Sequence, residues 1–154
     1  VDHFRITIDS DLSHLFLVSL VIRGICQRLG MDAEEAASVD LCAIEAATNS
    51  IKHAYRGAHG HELTVEICCG EERMEVNVCD QGVSMPEEQL RKLRQGSQVL
   101  DFDPADLGAV PEGGMGVEIM RRLMDDASYT TSGGTNCLKL TRFLKPQAAP
   151  RETA

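Results

Sequence analysis

Apolar and polar residues alternate over Phe4 to Ile8 (FRITI), which predicts a strand with one buried face; as the first element it is expected at a sheet edge. The pattern then changes to a helical one. Leu12, Leu15, Phe16, Ile22, Ile25 and Leu29 recur at helical spacing, with Asp9 or Ser10 as the cap and Gly30 as the stop. Asp32 followed by Glu35 has the form of a capping box and starts a second helix, predicted to run unbroken to Tyr55. Two strands alternate cleanly over Glu62 to Cys69 and Arg73 to Cys79, with Gly70, Glu71 and Glu72 between them as a hairpin loop.

After the turn-rich DQGVSMP comes a short helix, Glu87 to Gln95, and then a stretch over 96–112 without period that predicts a functional or mobile loop. Gly113, Gly114 and Gly116 lead into an apolar helix over Val117 to Met124. Strands at Ala127 to Thr130 and Asn136 to Phe143, joined by TSGGT, complete the order. That order predicts an α/β fold, an α+β two-layer sandwich with helices on one face of a mixed, mainly antiparallel sheet. Residues 1–145 are expected to form one domain, and 146–154, with two prolines and no period, a disordered tail.

Charge narrows the partners. Fifteen basic residues against 24 acidic ones give a net charge of −9, which excludes an electrostatic footprint for nucleic acid and suits solubility or a basic protein partner. No apolar run is long enough for a membrane span, so a cytoplasmic protein is expected. The six cysteines, Cys26, Cys42, Cys68, Cys69, Cys79 and Cys137, lie mostly in apolar runs without a CxxC pair and read as small buried hydrophobes of a reducing compartment.

The chemistry concentrates in LCAIEAATNSIKHAY, 41–55, where Glu45, Asn49 and His53 recur every fourth residue and so share one helix face. An acid, an amide and an imidazole in a row are either a polar stripe or a site. The glycines of GGMG, 113–116, form either a tight turn or a cradle in which free backbone N–H groups and the helix dipole meet an anion. The dinucleotide pattern GxGxxG and the Walker pattern are both absent.

Taken in order, EAATNSIKHAY, DQGVSMP, EGGMGVEIMRRLMDD and GGTNCLKL resemble the four nucleotide-binding motifs of the GHKL ATPase superfamily with its Bergerat fold. Within it the chain is most similar to the anti-sigma factor serine kinases of bacterial partner-switching systems. The resemblance implies ATP and Mg²⁺ as cofactors, with Asn49 on Mg²⁺ and Glu45 as the catalytic base toward a serine hydroxyl. It also implies His53 near the phosphates, Asp80 on the adenine amine with Gly82 beside the base, Gly114, Met115, Gly116 and Val117 around the phosphates, and Thr135 as a last contact. The implied partners are a sigma factor, a STAS-type anti-sigma factor antagonist and a second copy of the chain through the first-strand edge.

Two departures stand out: Ser84 occupies the second glycine position of DxGxG, and no Lys or Arg occurs between Gln95 and Met120. The second departure keeps open an alternative function, a nucleotide-binding partner-switch module that transfers no phosphate.

Overall fold

The computed structural model describes residues 1–95 and 115–146. Five strands, β1 (Asp2–Asp9), β2 (Glu62–Cys69), β3 (Arg73–Asp80), β4 (Asp126–Ser132) and β5 (Thr135–Phe143), form one sheet in the order β1-β2-β3-β5-β4. Every pairing is antiparallel, so the expected mixed sheet is wholly antiparallel among the described residues. β1 is an edge, as its position in the chain predicts, and it pairs with β2 over its full length from Asp2↔Cys69 to Asp9↔Glu62.

The helices α1 (Leu15–Arg28), α2 (Ala33–Asn49), α3 (Glu87–Gln95) and α4 (Gly116–Leu123) leave the strands' alternation legible in burial. Leu63, Val65, Ile67, Met74, Val76 and Val78 are buried with Val18, Ile22, Val39, Ala43 and Ala47 of α1 and α2 in one core. Thr64, Glu66, Glu75 and Asn77, from the opposite phase of the same strands, are only half-buried. α2 lies at the centre of the helical layer, packed between α1 and α4, and its small Ala43, Ala46 and Ala47 are buried.

Three local features differ from the sequence expectation. Asp11 provides the first cap, accepting from the Ser13 N–H at 2.9 Å ahead of a 3-10 turn over Leu12–His14. Ser10 is instead fully buried, donating to the Ala58 carbonyl and accepting from the His61 N–H, so it ties the segment after α2 to the end of β1. The second helix also does not run as one α-helix to Tyr55. It widens into a π-helical turn over Ser50–Ala54, closed by the Tyr55 N–H on the Ser50 carbonyl at 3.0 Å. Such turns occur often at functional sites.

Two further expectations hold in detail. The Asp32 box forms with both halves present, and Gly30 takes the left-handed conformation, φ 72°, that stops α1. Gly133 and Gly134, at φ 58° and 79°, are the two-residue turn between β4 and β5.

The cysteines require a correction. Cys79 and Cys137 stand directly opposite on β3 and β5 and are joined as a disulfide. Cys26, Cys42 and Cys69 are buried free thiols as expected, while Cys68 is half-exposed. The loop 96–112, Gly113, Gly114 and the tail from 147 lie outside the described residues.

Leu140 is fully buried on β5, the strand paired on both sides, so Leu140→Ala is expected to lower stability by about 2–5 kcal/mol in urea unfolding through lost burial and a residual cavity. The Asp32 carboxyl is held below its usual pKa of 3.8, first by the Glu35 backbone N–H and further by Lys145. A depressed folded-state pKa means that its contribution is complete above 3.8 and is lost as pH falls through the lower folded value. Asp32→Asn retains a capping oxygen but cannot titrate, so its stability profile should be flatter than the wild type's below that pH in acid-unfolding experiments.

Candidate functional site

β3 carries its buried face to its last residue, and that residue is Asp80, only 6% exposed. A carboxylate can be buried there only if donors replace its water. Three elements supply them. Ser50, opening the π-helical turn, donates its hydroxyl to Oδ2 at 2.9 Å. The Gly82 N–H donates to Oδ1 at 3.0 Å, and the Asn136 amide donates to the same oxygen at 2.9 Å. A carboxylate offers about four acceptor positions. These donors occupy three, and Asp80 borders a cavity of about 450 Å³.

Asn136, 1% exposed, is the hub of this cluster. Its amide nitrogen also donates to the Gly82 carbonyl at 3.0 Å, and its oxygen accepts from Ser84 and Thr131 hydroxyls, each at 2.9 Å. Ser84, the departure from DxGxG, is therefore bonded into the floor of the site.

The cavity's walls come from Asn49, Ser50 and His53 on one side, Val83, Ser84 and Met85 on another, and Gly116 with Val117 at the start of α4. Val78 and Leu138 form its apolar base. Volume and lining suit a small organic ligand with a few fixed polar contacts.

Glycine is required at two junctions of this wall. A Cβ on Gly82 would lie 2.3 Å from the Ala54 carbonyl oxygen, because the loop docks on the π-helical turn, where Val83 N–H donates to that same oxygen at 2.9 Å. A Cβ on Gly116 would lie 3.0 Å from Glu45 Oε2 and 3.2 Å from Asn49 Nδ2. The first turn of α4 thus rests on the acid and amide of α2. Its N-cap is Met115, whose side chain makes no capping hydrogen bond.

Residues 8–142 match the family model described as the histidine kinase-like ATPase domain. The chain belongs to that family. Among curated proteins it is similar to the Serine-protein kinase RsbW of Bacillus velezensis, 26% identical over 99% of this chain and 92% of the relative. The RsbW of Listeria monocytogenes serovar 1/2a is 29% identical over 93% of this chain and 88% of that one. Among solved structures the fold is similar to the RsbU and RsbW domains of a Mycobacterium tuberculosis protein, with a TM-score of 0.62 at 17% identity, covering 95% of this chain and 34% of that longer one. It is also similar to the SiaB–SiaC complex from Pseudomonas aeruginosa, with a TM-score of 0.58 at 17% identity, covering 90% of this chain and 89% of that one.

Within this ATPase-family fold, Asn49, His53, Asp80, Gly116 and Val117 line one cavity, while Glu45, beside Gly116, and Gly82, bonded to Asp80, adjoin its lining residues without lining it themselves. Met115 stands at the head of α4. Thr135 instead opens β5 opposite Ser132 and does not line the cavity; its neighbour Asn136 makes the buried contacts. Gly114 lies outside the described residues.

Residues not anticipated from sequence are Ser50, Asn136, Tyr55, Lys52 and Arg56. The Tyr55 hydroxyl donates to the Glu62 carbonyl and accepts from the Gln81 N–H, and burial raises its pKa. Lys52 and Arg56 line the cavity and bring positive charge to it. Arg56 has φ 53°, a conformation uncommon for a side-chain-bearing residue. The signal was present in IKHAYR, 51–56, where both cations flank the histidine.

Because the two nearest obstructing atoms at Gly82 are backbone, Gly82→Ala is expected to shift the loop off the π-helical turn and to cost about 1–3 kcal/mol in urea unfolding. Gly70→Ala, whose Cβ would meet its nearest atom at 3.6 Å, serves as the control and should change stability by no more than about 0.5 kcal/mol.

Proposed function

We propose that this chain is an anti-sigma factor with ATP-dependent serine kinase activity, binding ATP in the cavity beneath α4 and transferring its terminal phosphoryl group to a serine of a STAS-type antagonist. The observation that carries the reading is Asp80: a buried carboxylate, oriented by three donors, with an acceptor position left beside an apolar cavity. That position suits the exocyclic amine of adenine and disfavours a carbonyl oxygen, which would present acceptor to acceptor.

The phosphates would extend toward α4, where the uncapped N–H groups after Met115 and the cations of Lys52 and Arg56 favour negative charge. The residues present also fit Mg²⁺. Asn49 and Glu45 offer hard oxygen donors side by side under Gly116, while no group of three or more His, Cys, Asp or Glu among the described residues forms an all-protein cage. Mg²⁺ is commonly held in this way, by one or two protein groups with phosphates and water completing its shell. When bound, it would neutralise charge on the phosphate oxygens.

Glu45 is half-buried one turn before Asn49 and takes the role of general base, accepting the proton of the incoming serine hydroxyl. The free edge of β1 offers hydrogen-bonding groups to a second copy of the chain. The sigma factor and the antagonist are the remaining partners, and the compartment is the cytoplasm; no helix among the described residues is long and apolar enough to cross a membrane.

Calorimetry should show ATP binding that weakens about tenfold or more in Asp80→Asn and that loses its Mg²⁺ dependence in Asn49→Ala. Glu45→Ala should keep ATP binding while phosphoserine formation on the antagonist falls by about 10²- to 10⁴-fold. Binding without transfer by the wild type would establish the module that transfers no phosphate. Absence of nucleotide binding would defeat both readings.

A further inference from the structure

We propose that Cys79 and Cys137 are a reversible dithiol–disulfide pair whose closed form clamps Asp80 to Asn136 and so tightens nucleotide binding. The affinity half of this proposal rests on the nucleotide-binding reading above.

The register carries it. Cys79 pairs with Cys137, and the next row of the same ladder pairs Asp80 with Asn136. That row is the last between β3 and β5: β3 ends at Asp80, and β5 begins at Thr135. Rows at the end of a ladder open more readily than rows inside it. A covalent bond one row inward removes that freedom. The effect reaches the site through Asn136, which holds the Asp80 carboxylate, the Gly82 carbonyl, Ser84 and Thr131 together.

Strand alternation also separates the sulfurs from the ligand. Asp80 and Asn136 are buried on the cavity side of the sheet, whereas Cys79 and Cys137 fall on the opposite, half-exposed face and do not line the cavity. A thiol reagent can therefore reach the pair while nucleotide occupies the site.

No other pair of the six cysteines is opposed in the sheet. Cys68 faces His3 and Glu75, and Cys69 faces Asp2 and Met74. Cys26 and Cys42 are buried in the helical layer, where desolvation pushes their thiols up to about 11 and about 12 and suppresses the reactive thiolate. In a reducing compartment a disulfide that persists is the exception, and those that form there are commonly transient and redox-sensing.

Oxidised glutathione is a sufficient co-reactant. One protein thiolate attacks its disulfide, breaking that S–S bond and releasing one glutathione thiol; the second protein thiolate then attacks the mixed disulfide and releases the other. The two protein thiols lose two protons and two electrons, and the glutathione disulfide gains them.

The test uses the whole chain equilibrated in glutathione buffers of varied ratio. Alkylation and mass measurement count free thiols, amide hydrogen exchange follows 80–84 and 135–137, and calorimetry gives the Kd for ATP. Six free thiols should fall to four as the buffer becomes oxidising, with exchange slowing in both segments and Kd dropping roughly five- to tenfold. Cys79→Ser and Cys137→Ser should each keep the reduced form's exchange and Kd in every buffer. Six free thiols at all ratios, or a disulfide that leaves exchange and Kd unchanged, would overturn the proposal. If exchange follows the thiol count but ATP binds in neither state, the clamp is supported and the nucleotide-binding reading fails instead.

Discussion

A carboxylate at the end of a buried strand face sets the terms for this molecule. Leaving Asp80 without partners would cost several kcal/mol, more than a single surface contact can return. The fold meets that demand by bringing three separate segments to it: the π-helical turn through Ser50, the loop through Gly82 and β5 through Asn136. Each segment is separated from the others by tens of residues in sequence, so the cluster exists only when the sheet and α2 are assembled together. Site formation and folding are consequently one event.

The two obligatory glycines follow from the same constraint. Bringing the Gly82 N–H to Asp80 places its Cα against the Ala54 carbonyl, where a Cβ has no room. Seating α4 close enough to wall the cavity likewise places Gly116 on Glu45 and Asn49. Neither residue is needed for a left-handed backbone, in contrast with Gly30, Gly133 and Gly134. Close approach selects glycine here, once where the loop meets the π-helical turn and once where α4 meets α2.

Much of this was legible because it is periodic or motif-bound. The alternation of β2 and β3 gave their faces, and the Asp32–Glu35 box and the GG turn gave element ends. Other features depend on contacts that sequence spacing does not encode. The π-helical turn cannot be separated from a continuing α-helix by the pattern of IKHAY, since Ile51 and Ala54 are buried either way. Asn136 was read as the start of a strand, because its role arises from pairing with Asp80, 56 residues away. The cysteine pairing is of the same kind: CxxC spacing is a local signal, whereas Cys79 and Cys137 meet through strand register.

Net charge illustrates why local geometry outweighs composition. A chain of charge −9 would repel a polyanionic nucleotide if its charges acted together. At physiological ionic strength, however, the screening length is about 8 Å, so exposed charges farther from the phosphates contribute little. A nucleotide bound in the proposed site would meet the immediate surface, where Lys52 and Arg56 border the cavity. The sequence has no Lys or Arg between Gln95 and Met120, and the basic groups that line the cavity come from the π-helical turn and the residues just after it. Lys52 stands in the π-helical turn that follows Asn49 and Arg56 in the turn after it, so both cations lie close along the chain to the polar face of α2. Their relative positions then depend on the π-helical turn, whose Ser50 is bonded to Asp80 and whose Ala54 supports Gly82.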